Sequence, residues 1–426
     1  MTSARRPARV AVLADTDSRW KWGMLTARQL HPVEGVDPYL LDRGLRPSAR
    51  QLEAAGVEPA AVIAIGMPEL AEALLAAPPD VLVVALGGGG VIAAIRALAS
   101  GWPSDLRRPI VVSGYFGVVY EKVVEGLLGR AGSDIVLANS PYDVARFTEV
   151  YAGLGLDPGV VVETGLPFLR TSPAPTSPHP FTVVFACQPG VPATLAERDY
   201  LVRRLIKHAE LHPERRVVLK LRSAPGERVT HAEPYPYPAI LRRHDAPPNL
   251  QVALGDMGET LTETDLLVTV SSTAALEAMH AGLGTVLLTD FGVREGLGNA
   301  FFVGSGCLAS FDEVDAGSSP LADPEWTRAR GVAGAGPDAF AGRVSELLAA
   351  ELEPLRPYYT AGRSPSYLPR LLATYGLDPD GRRLGSQAAS GQVRHLVRGA
   401  IRSTARTIYH SGVTTVAPML RKLGSL

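Results

Sequence analysis

Short apolar runs alternate with longer stretches of mixed character along most of the chain. RVAVLA (9–14), AVIAI (61–65), VLVVAL (81–86), PIVVSG (109–114), DIVLAN (134–139) and VVVET (160–164) read as short strands, apolar in the main. PELAEALLAA (68–77) and VIAAIRALA (91–99), lying between them, carry a helical pattern. Continuous apolar strands separated by helices predict a parallel sheet covered on both faces. Right-handed crossovers then make residues 1–170 a doubly wound, Rossmann-like α/β domain.

TSPAPTSPHP (171–180) is rich in Pro, Ser and Thr and poor in core residues, so it reads as a linker. Beyond it the rhythm restarts. FTVVFAC (181–187), RVVLKLR (216–222), LQVAL (250–254), LLVTV (266–270) and TVLLTD (285–290) read as strands, with a helix over RDYLVRRLIKHAEL (198–211). Residues 181–350 therefore form a second Rossmann-like domain, followed by helices over 351–380 that are placed to cross back to the first. No fixed-period repeat appears, which excludes a solenoid. In such folds ligands sit beyond the carboxyl ends of the strands, so two of these domains facing each other predict a cleft.

Composition narrows the class. At 426 residues, 46% hydrophobic and a net charge of −1, the chain is large enough for two cores, and it is neither disordered nor a nucleic-acid-coating protein. Cys187 and Cys307 are the two cysteines and lie in no CxxC or Cys/His cluster, which points to a reducing compartment without a zinc site or disulfide framework. The opening MTSARRPARVAVLAD passes straight into a strand pattern and lacks the apolar core of a signal peptide. The longest apolar run, 81–95, is too short to span a bilayer and holds four glycines. These features predict a cytoplasmic protein. The tail, 381–426, carries eight Lys or Arg and no Asp or Glu. Arg394, Arg398, Arg402 and Arg406 fall at i, i+4 beside an apolar stripe. A basic amphipathic helix over 392–410 suits either an anionic membrane surface, at the inner face of the cell membrane, or packing on its own domain.

The candidate chemistry lies at strand ends. In VTVSSTAALEAMHAG (268–282), Ser271, Ser272 and Thr273 end a strand and open a helix, with Glu277 one turn further on. Such hydroxyls either cap the helix or, with its N–H groups, hold a phosphate. SSTAALEAMHAG resembles a signature of GT-B glycosyltransferases. The resemblance implies that the hydroxyls meet the phosphate of a nucleotide-sugar donor and that Glu277 meets its ribose. The paired serine is similar to that of bacterial sialyl-, polysialyl- and Kdo transferases, which act on CMP-sugars. Those enzymes also carry a His-Pro after the second strand of this domain; here RVVLKLRSAPGE has none, and Lys220 and Arg222 stand near its place. His212-Pro213 precedes that strand and does not match. The leaving-group acid is thus without an assigned residue.

Asp15 and Asp17 form D-x-D at the end of the first strand, where GT-B enzymes place an acceptor-activating base; Asp17 is the stronger candidate for it. One of the pair is equally suited to capping the next helix. Trp20, Lys21 and Trp22 resemble an acceptor platform if exposed, and are core if buried. Gly88, Gly89 and Gly90 of GGGG allow either close approach to the acceptor or tight packing of strand and helix. They do not form G-x-G-x-x-G in the first βα unit, so no dinucleotide cofactor is expected. Tyr115 and Phe116, and Asn139-Ser140-Pro141, occupy matching strand ends. Arg294, Glu295 and Asn299 lie in a glycine-rich loop (291–306) that in GT-B enzymes closes over the nucleotide, or else is a plain connection. Nucleophile-elbow, Walker A and H-E-x-x-H motifs do not occur.

LADTDSRWKWG together with SSTAALEAMHAG resembles a family of actinobacterial proteins labelled glycosyltransferases. The resemblance implies metal-independent transfer of a sugar, in the narrower reading a CMP-activated nonulosonic acid such as sialic acid or Kdn, onto a cell-envelope glycan or a lipid-linked acceptor. A nucleotide-sugar epimerase of the same fold and a non-catalytic GT-B-like partner subunit are the competing expectations.

Overall fold

The computed structural model describes residues 7–385 apart from 31–32, 44–46, 119–122, 170–178, 223–232, 234 and 335–337. Most of the expected linker and the basic stripe over 392–410 therefore lie outside the described residues.

The first sheet contains β1 (Ala8–Ala14), β2 (Val33–Leu41), β3 (Ile63–Ile65), β4 (Val81–Ala85), β5 (Ile110–Gly114), β6 (Ile135–Ala138) and β7 (Val161–Glu163). Its order is β3-β2-β1-β4-β5-β6-β7, all parallel. The second contains β8 (Thr182–Ala186), β9 (Arg216–Lys220), β10 (Leu250–Ala253), β11 (Leu266–Thr269), β12 (Gly284–Leu288) and β13 (Leu308–Ala309). It runs β10-β9-β8-β11-β12-β13, again parallel. In both sheets the chain reverses direction beside its first strand, at β1/β4 and at β8/β11. Each reversal leaves a crevice at the carboxyl ends of those strands.

Two strands carry no clear sequence signal. β2 (VEGVDPYLL) holds Gly35, Asp37 and Pro38, residues that argue against a strand. Its ladder with β1 carries it, and β3 pairs only with Tyr39–Leu41, so Pro38 lies outside that second ladder. β13 is two residues long and is held to β12 at the sheet edge.

Each sheet is covered on both faces, which accounts for the apolar runs: β4 and β8 are buried throughout. The cover of the first sheet comes partly from the far end of the chain. The helix Asp338–Ala349 places Phe340 and Val344 in the core beside Val10, Val12, Trp20 and Trp22. The helix Tyr367–Ala373 places Leu368 and Leu372 in the opposite face's core with Leu13 and Ile92. The Arg107 guanidinium donates to the carbonyls of Leu347 and Ala350, at 2.7 and 2.9 Å, and so satisfies the end of the first of these helices. The chain thus returns to the first domain by Asp338, a dozen residues before the boundary that the sequence pattern suggests.

Candidate functional site

In the second domain the site begins where β8 and β11 end side by side. Thr269 Oγ donates to the Ala186 carbonyl at 2.9 Å and accepts from the Ser272 N–H at 3.2 Å. Gln188, just past β8, reaches across to β11. Its Oε1 accepts from the Ser271 N–H at 2.9 Å, and its Nε2 donates to Ser271 Oγ at 3.2 Å. Ser271 Oγ also donates to the carbonyl of Leu297 in the glycine-rich loop. Ser272 Oγ accepts from the Ala274 N–H at 3.2 Å, which is cap-like work at the start of the helix Ala274–His280. Thr273 is exposed, its side chain does not cap the helix, and it faces the first domain: a Cβ placed on Gly117 would lie 3.5 Å from Thr273 Cγ2. That helix has only seven residues, so its first N–H groups and hydroxyls matter more than a long macrodipole.

The end of β1 faces the second domain as well, at the ends of β9 and β10. Asp15 is engaged by its own helix: Arg19 Nη1 donates to both carboxylate oxygens, at 2.6 and 2.7 Å. Arg19 in turn lies 5.4 Å from the Phe116 ring centroid. Asp17 opens the helix Asp17–Ala27 and faces the other domain, where Arg222 Nη2 lies 3.3 Å from its Oδ2. One turn on, Lys21 Nζ lies 3.5 Å from Asp256 Oδ2, also across the domain boundary. Burial pushes the Asp256 carboxyl up, but Lys21 and the N–H groups of Gly258 and Glu259 outweigh it and hold it below its usual range. Lys21, Arg28 and Glu53 of the first domain line one pocket with Asp256, Gly258 and Glu277 of the second, beside Phe168 of the crossing. Lys21 and Glu277, expected at opposite ends of the reaction, thus share one cavity.

Several candidates stand elsewhere. Trp20 and Trp22 are 0% and 2% exposed and belong to the core, so they offer no face to an acceptor. Aromatic residues two positions apart on a helix cannot share one face. Here Trp22 meets Phe116 edge-on at 5.2 Å, and Phe340 and Val344 of the returning chain complete the core around the pair. Gly88, Gly89 and Gly90 sit in the first turn of the helix Gly88–Gly101. A Cβ on Gly89 would stand 2.9 Å from Leu371, one on Gly90 2.8 Å from Leu86, and Gly88 packs against Gly129. Gly90 is buried and serves close packing, whereas Gly88 and Gly89 are half-buried and Gly88 is in ordinary contact only. Tyr115 donates its hydroxyl to the Val123 carbonyl at 3.2 Å beneath Arg130, and burial pushes that hydroxyl's pKa up.

On the donor side, Lys220 is 2% exposed and donates to the Gly255 carbonyl at 2.6 Å. Burial lowers its pKa, and its charge braces a turn instead of reaching the cleft. Asn299 is fully buried: Nδ2 donates to the carbonyls of Leu288 and Gly292, and Oδ1 accepts from the Arg294 N–H at 3.0 Å. It fixes the loop from within and cannot touch a donor. Arg294 is exposed, 3.8 Å from Glu197. Asn139 is buried, donating to the carbonyls of Tyr115 and Gly117, and Ser140 caps the helix Pro141–Gly153. Among the described residues, no three His, Cys, Asp or Glu side chains cluster as a metal-ligand set.

Sequence reasoning missed Gln188, Asp256, Arg28 and Glu53. Gln188 had a usable signal, since it follows the first strand of a second Rossmann-like sheet and so stands at the switch point. The others are helix and turn residues made neighbours only by the docking of the domains.

Residues 10–347 match the model of a family described as "Putative glycosyltransferase (DUF6716)". No curated protein matches the chain in sequence. Three solved structures are similar in fold. A "putative UDP-N-acetylglucosamine 2-epimerase from Listeria monocytogenes" has a TM-score of 0.53 at 13% identity, over 81% of this chain and 96% of its own. A UDP-GlcNAc 2-epimerase from Neisseria meningitidis, bound to UDP-GlcNAc, has a TM-score of 0.51 at 10% identity, over 80% and 98%. The S. aureus MnaA–UDP co-structure has a TM-score of 0.51 at 11% identity, over 80% and 95%. At such identities the likeness speaks for the fold alone. The twin Rossmann-like, GT-B architecture read from the sequence is the one observed.

Proposed function

The chain belongs to that glycosyltransferase family, and from this premise we propose that it moves a sugar from a nucleotide-sugar donor, held at the β8/β11 switch point, to an acceptor hydroxyl held against the first domain. The observation that carries the reading is that both strand-end regions of the second domain face the first: Arg222, past β9, meets Asp17, and Thr273 of the hinge stands 3.5 Å from a Cβ placed on Gly117. The donor phosphate meets the hinge hydroxyls and Arg222, and Glu277 meets the ribose. The acceptor oxygen attacks the anomeric carbon, the bond from that carbon to the phosphate oxygen breaks, and the acceptor proton passes to Asp17. The nucleotide leaves as an anion. Arg222 and the N–H groups of the hinge stabilise its charge, a role that asks for no metal. Two structures similar in fold hold UDP or UDP-GlcNAc, which accords with a nucleotide-sugar as this chain's donor.

The donor we propose is a CMP-activated nonulosonic acid, on the strength of the Ser271-Ser272 pair. Lys220 is turned inward, which leaves Arg222 as the cation of this strand end for the donor. The acceptor is a cell-envelope glycan or a lipid-linked saccharide, with Lys21 drawing its anionic groups. No helix among the described residues is long and apolar enough to cross a membrane. The basic stripe over 392–410 is the proposed contact with an anionic membrane surface.

A thermal-shift panel of CMP, CDP, UDP, GDP and their sugars tests the donor. A ligand at 100 times its Kd stabilises by about 2.7 kcal/mol. A response to CMP-sugars is expected; a response to UDP compounds alone would overturn the CMP donor while leaving the transferase reading. Release of an epimerised free sugar without acceptor would replace transfer by epimerisation. Binding without turnover of any donor would make the chain a non-catalytic partner.

A further inference from the structure

Beneath the switch-point loop of the second domain lies a cation that the proposed reaction does not use. Arg198, in the first turn of the helix Leu195–Leu211, is fully buried. Its Nε donates to the Pro192 carbonyl at 2.9 Å, and Nη2 donates to the carbonyls of Gln188, at 3.1 Å, and Pro189. Nη1 meets Glu233 Oε1 at 2.7 Å and the Tyr235 carbonyl at 2.9 Å. The guanidinium stands 4.9 Å from the Tyr237 ring centroid. A buried cation is costly unless paired and fully hydrogen-bonded, and the planar fork of arginine is what makes this arrangement self-consistent.

The fork holds two stretches of chain at once: the loop 188–192, which leaves β8, and Glu233 and Tyr235, which follow β9 in the sequence. The first ends its work in the site. Gln188 gives its carbonyl to Arg198 and its side-chain amide to both the N–H and the hydroxyl of Ser271. Ordinary packing would hold the loop without a charge. A buried arginine spending its donors on neighbouring carbonyls fixes the loop's orientation, and through Gln188 the position of Ser271. We propose that Arg198 is a positioning residue for donor binding, fixing the place of Ser271 through Gln188 before the donor arrives; the hydroxyl proton, held meanwhile by the Leu297 carbonyl, turns to the donor when it binds. The proposal rests on the reading that Ser271 meets the donor phosphate.

The test is a double-mutant cycle on nucleotide affinity, with CMP and UDP as probes in titration calorimetry, and thermal unfolding followed for each variant. Ser271→Ala is expected to weaken binding of the preferred nucleotide by roughly tenfold or more, as loss of a hydrogen bond to a charged group does. Arg198→Lys, which keeps the charge and loses the fork, is expected to weaken it similarly and to add little in the Ser271→Ala background. Gln188→Ala, which leaves the buried ion pair intact, should reproduce the Arg198→Lys loss without its drop in Tm. In turnover assays both variants raise the donor KM more than they lower kcat. Full additivity of Arg198→Lys with Ser271→Ala, or unchanged affinity in Gln188→Ala, overturns the relay and leaves the Ser271 reading standing. Unchanged affinity in Ser271→Ala overturns both.

Discussion

Asp15 and Asp17 are two residues apart and do different work. Asp15 is held in place by Arg19, whereas Asp17 meets the opposite domain. Asp17→Asn is therefore expected to cut turnover by about 10²–10⁴-fold, the usual contribution of a general base, with donor affinity little changed. Steady-state rates beside calorimetry check it; an unaltered kcat would remove Asp17 from the chemistry. Trp20 illustrates the opposite outcome. As a fully buried ring, its loss in Trp20→Ala should cost about 3–5 kcal/mol of stability, read in urea unfolding. A variant that unfolds normally but fails to bind acceptor would return the ring to the site.

Secondary-structure elements were legible where burial was symmetrical. β4, β8 and β11 are covered on both faces and read as unbroken apolar runs. β2 was not legible, because its partner β1 supplies what its own sequence lacks. The returning helix Asp338–Ala349 shows the same dependence at longer range, with Phe340 and Val344 in a core whose other members lie some hundreds of positions earlier. Phe340→Ala should destabilise the chain by about 3–5 kcal/mol and loosen the first domain. Hydrogen exchange would show lost protection in β1 and β4. If protection were lost only around the second sheet, the helix would not belong to the first domain's core.

At the scale of the whole molecule, the two domains meet through contacts of different kinds. Arg330 lies 3.8 Å from the Tyr142 ring centroid across the boundary. Gly331, at φ +70°, approaches so closely that an added Cβ would fall 2.2 Å from the Asn139 carbonyl oxygen. That side is fixed by shape. The cleft side is joined by the half-exposed pairs Arg222–Asp17 and Lys21–Asp256, a class of pair worth about 0–1 kcal/mol each. Arg222→Ala should thus leave Tm nearly unchanged while raising the donor KM several-fold. A large fall in Tm with an unchanged KM would make the pair a structural strut.

The sequence by itself determined the two parallel sheets apart from β2 and β13, their order along the chain and the placing of Ser271–Thr273 at a strand end, because these follow from local pattern and from the handedness of crossovers. Only the tertiary structure decided which polar side chains face the cleft. Lys220 and Asn299 turn inward to satisfy buried carbonyls, Trp20 and Trp22 are enclosed by a helix from the far end of the chain, and Arg222 reaches Asp17. Whether a side chain is buried, braced or presented depends on what packs against it. In a chain that crosses between two domains and back, that partner is rarely nearby in sequence.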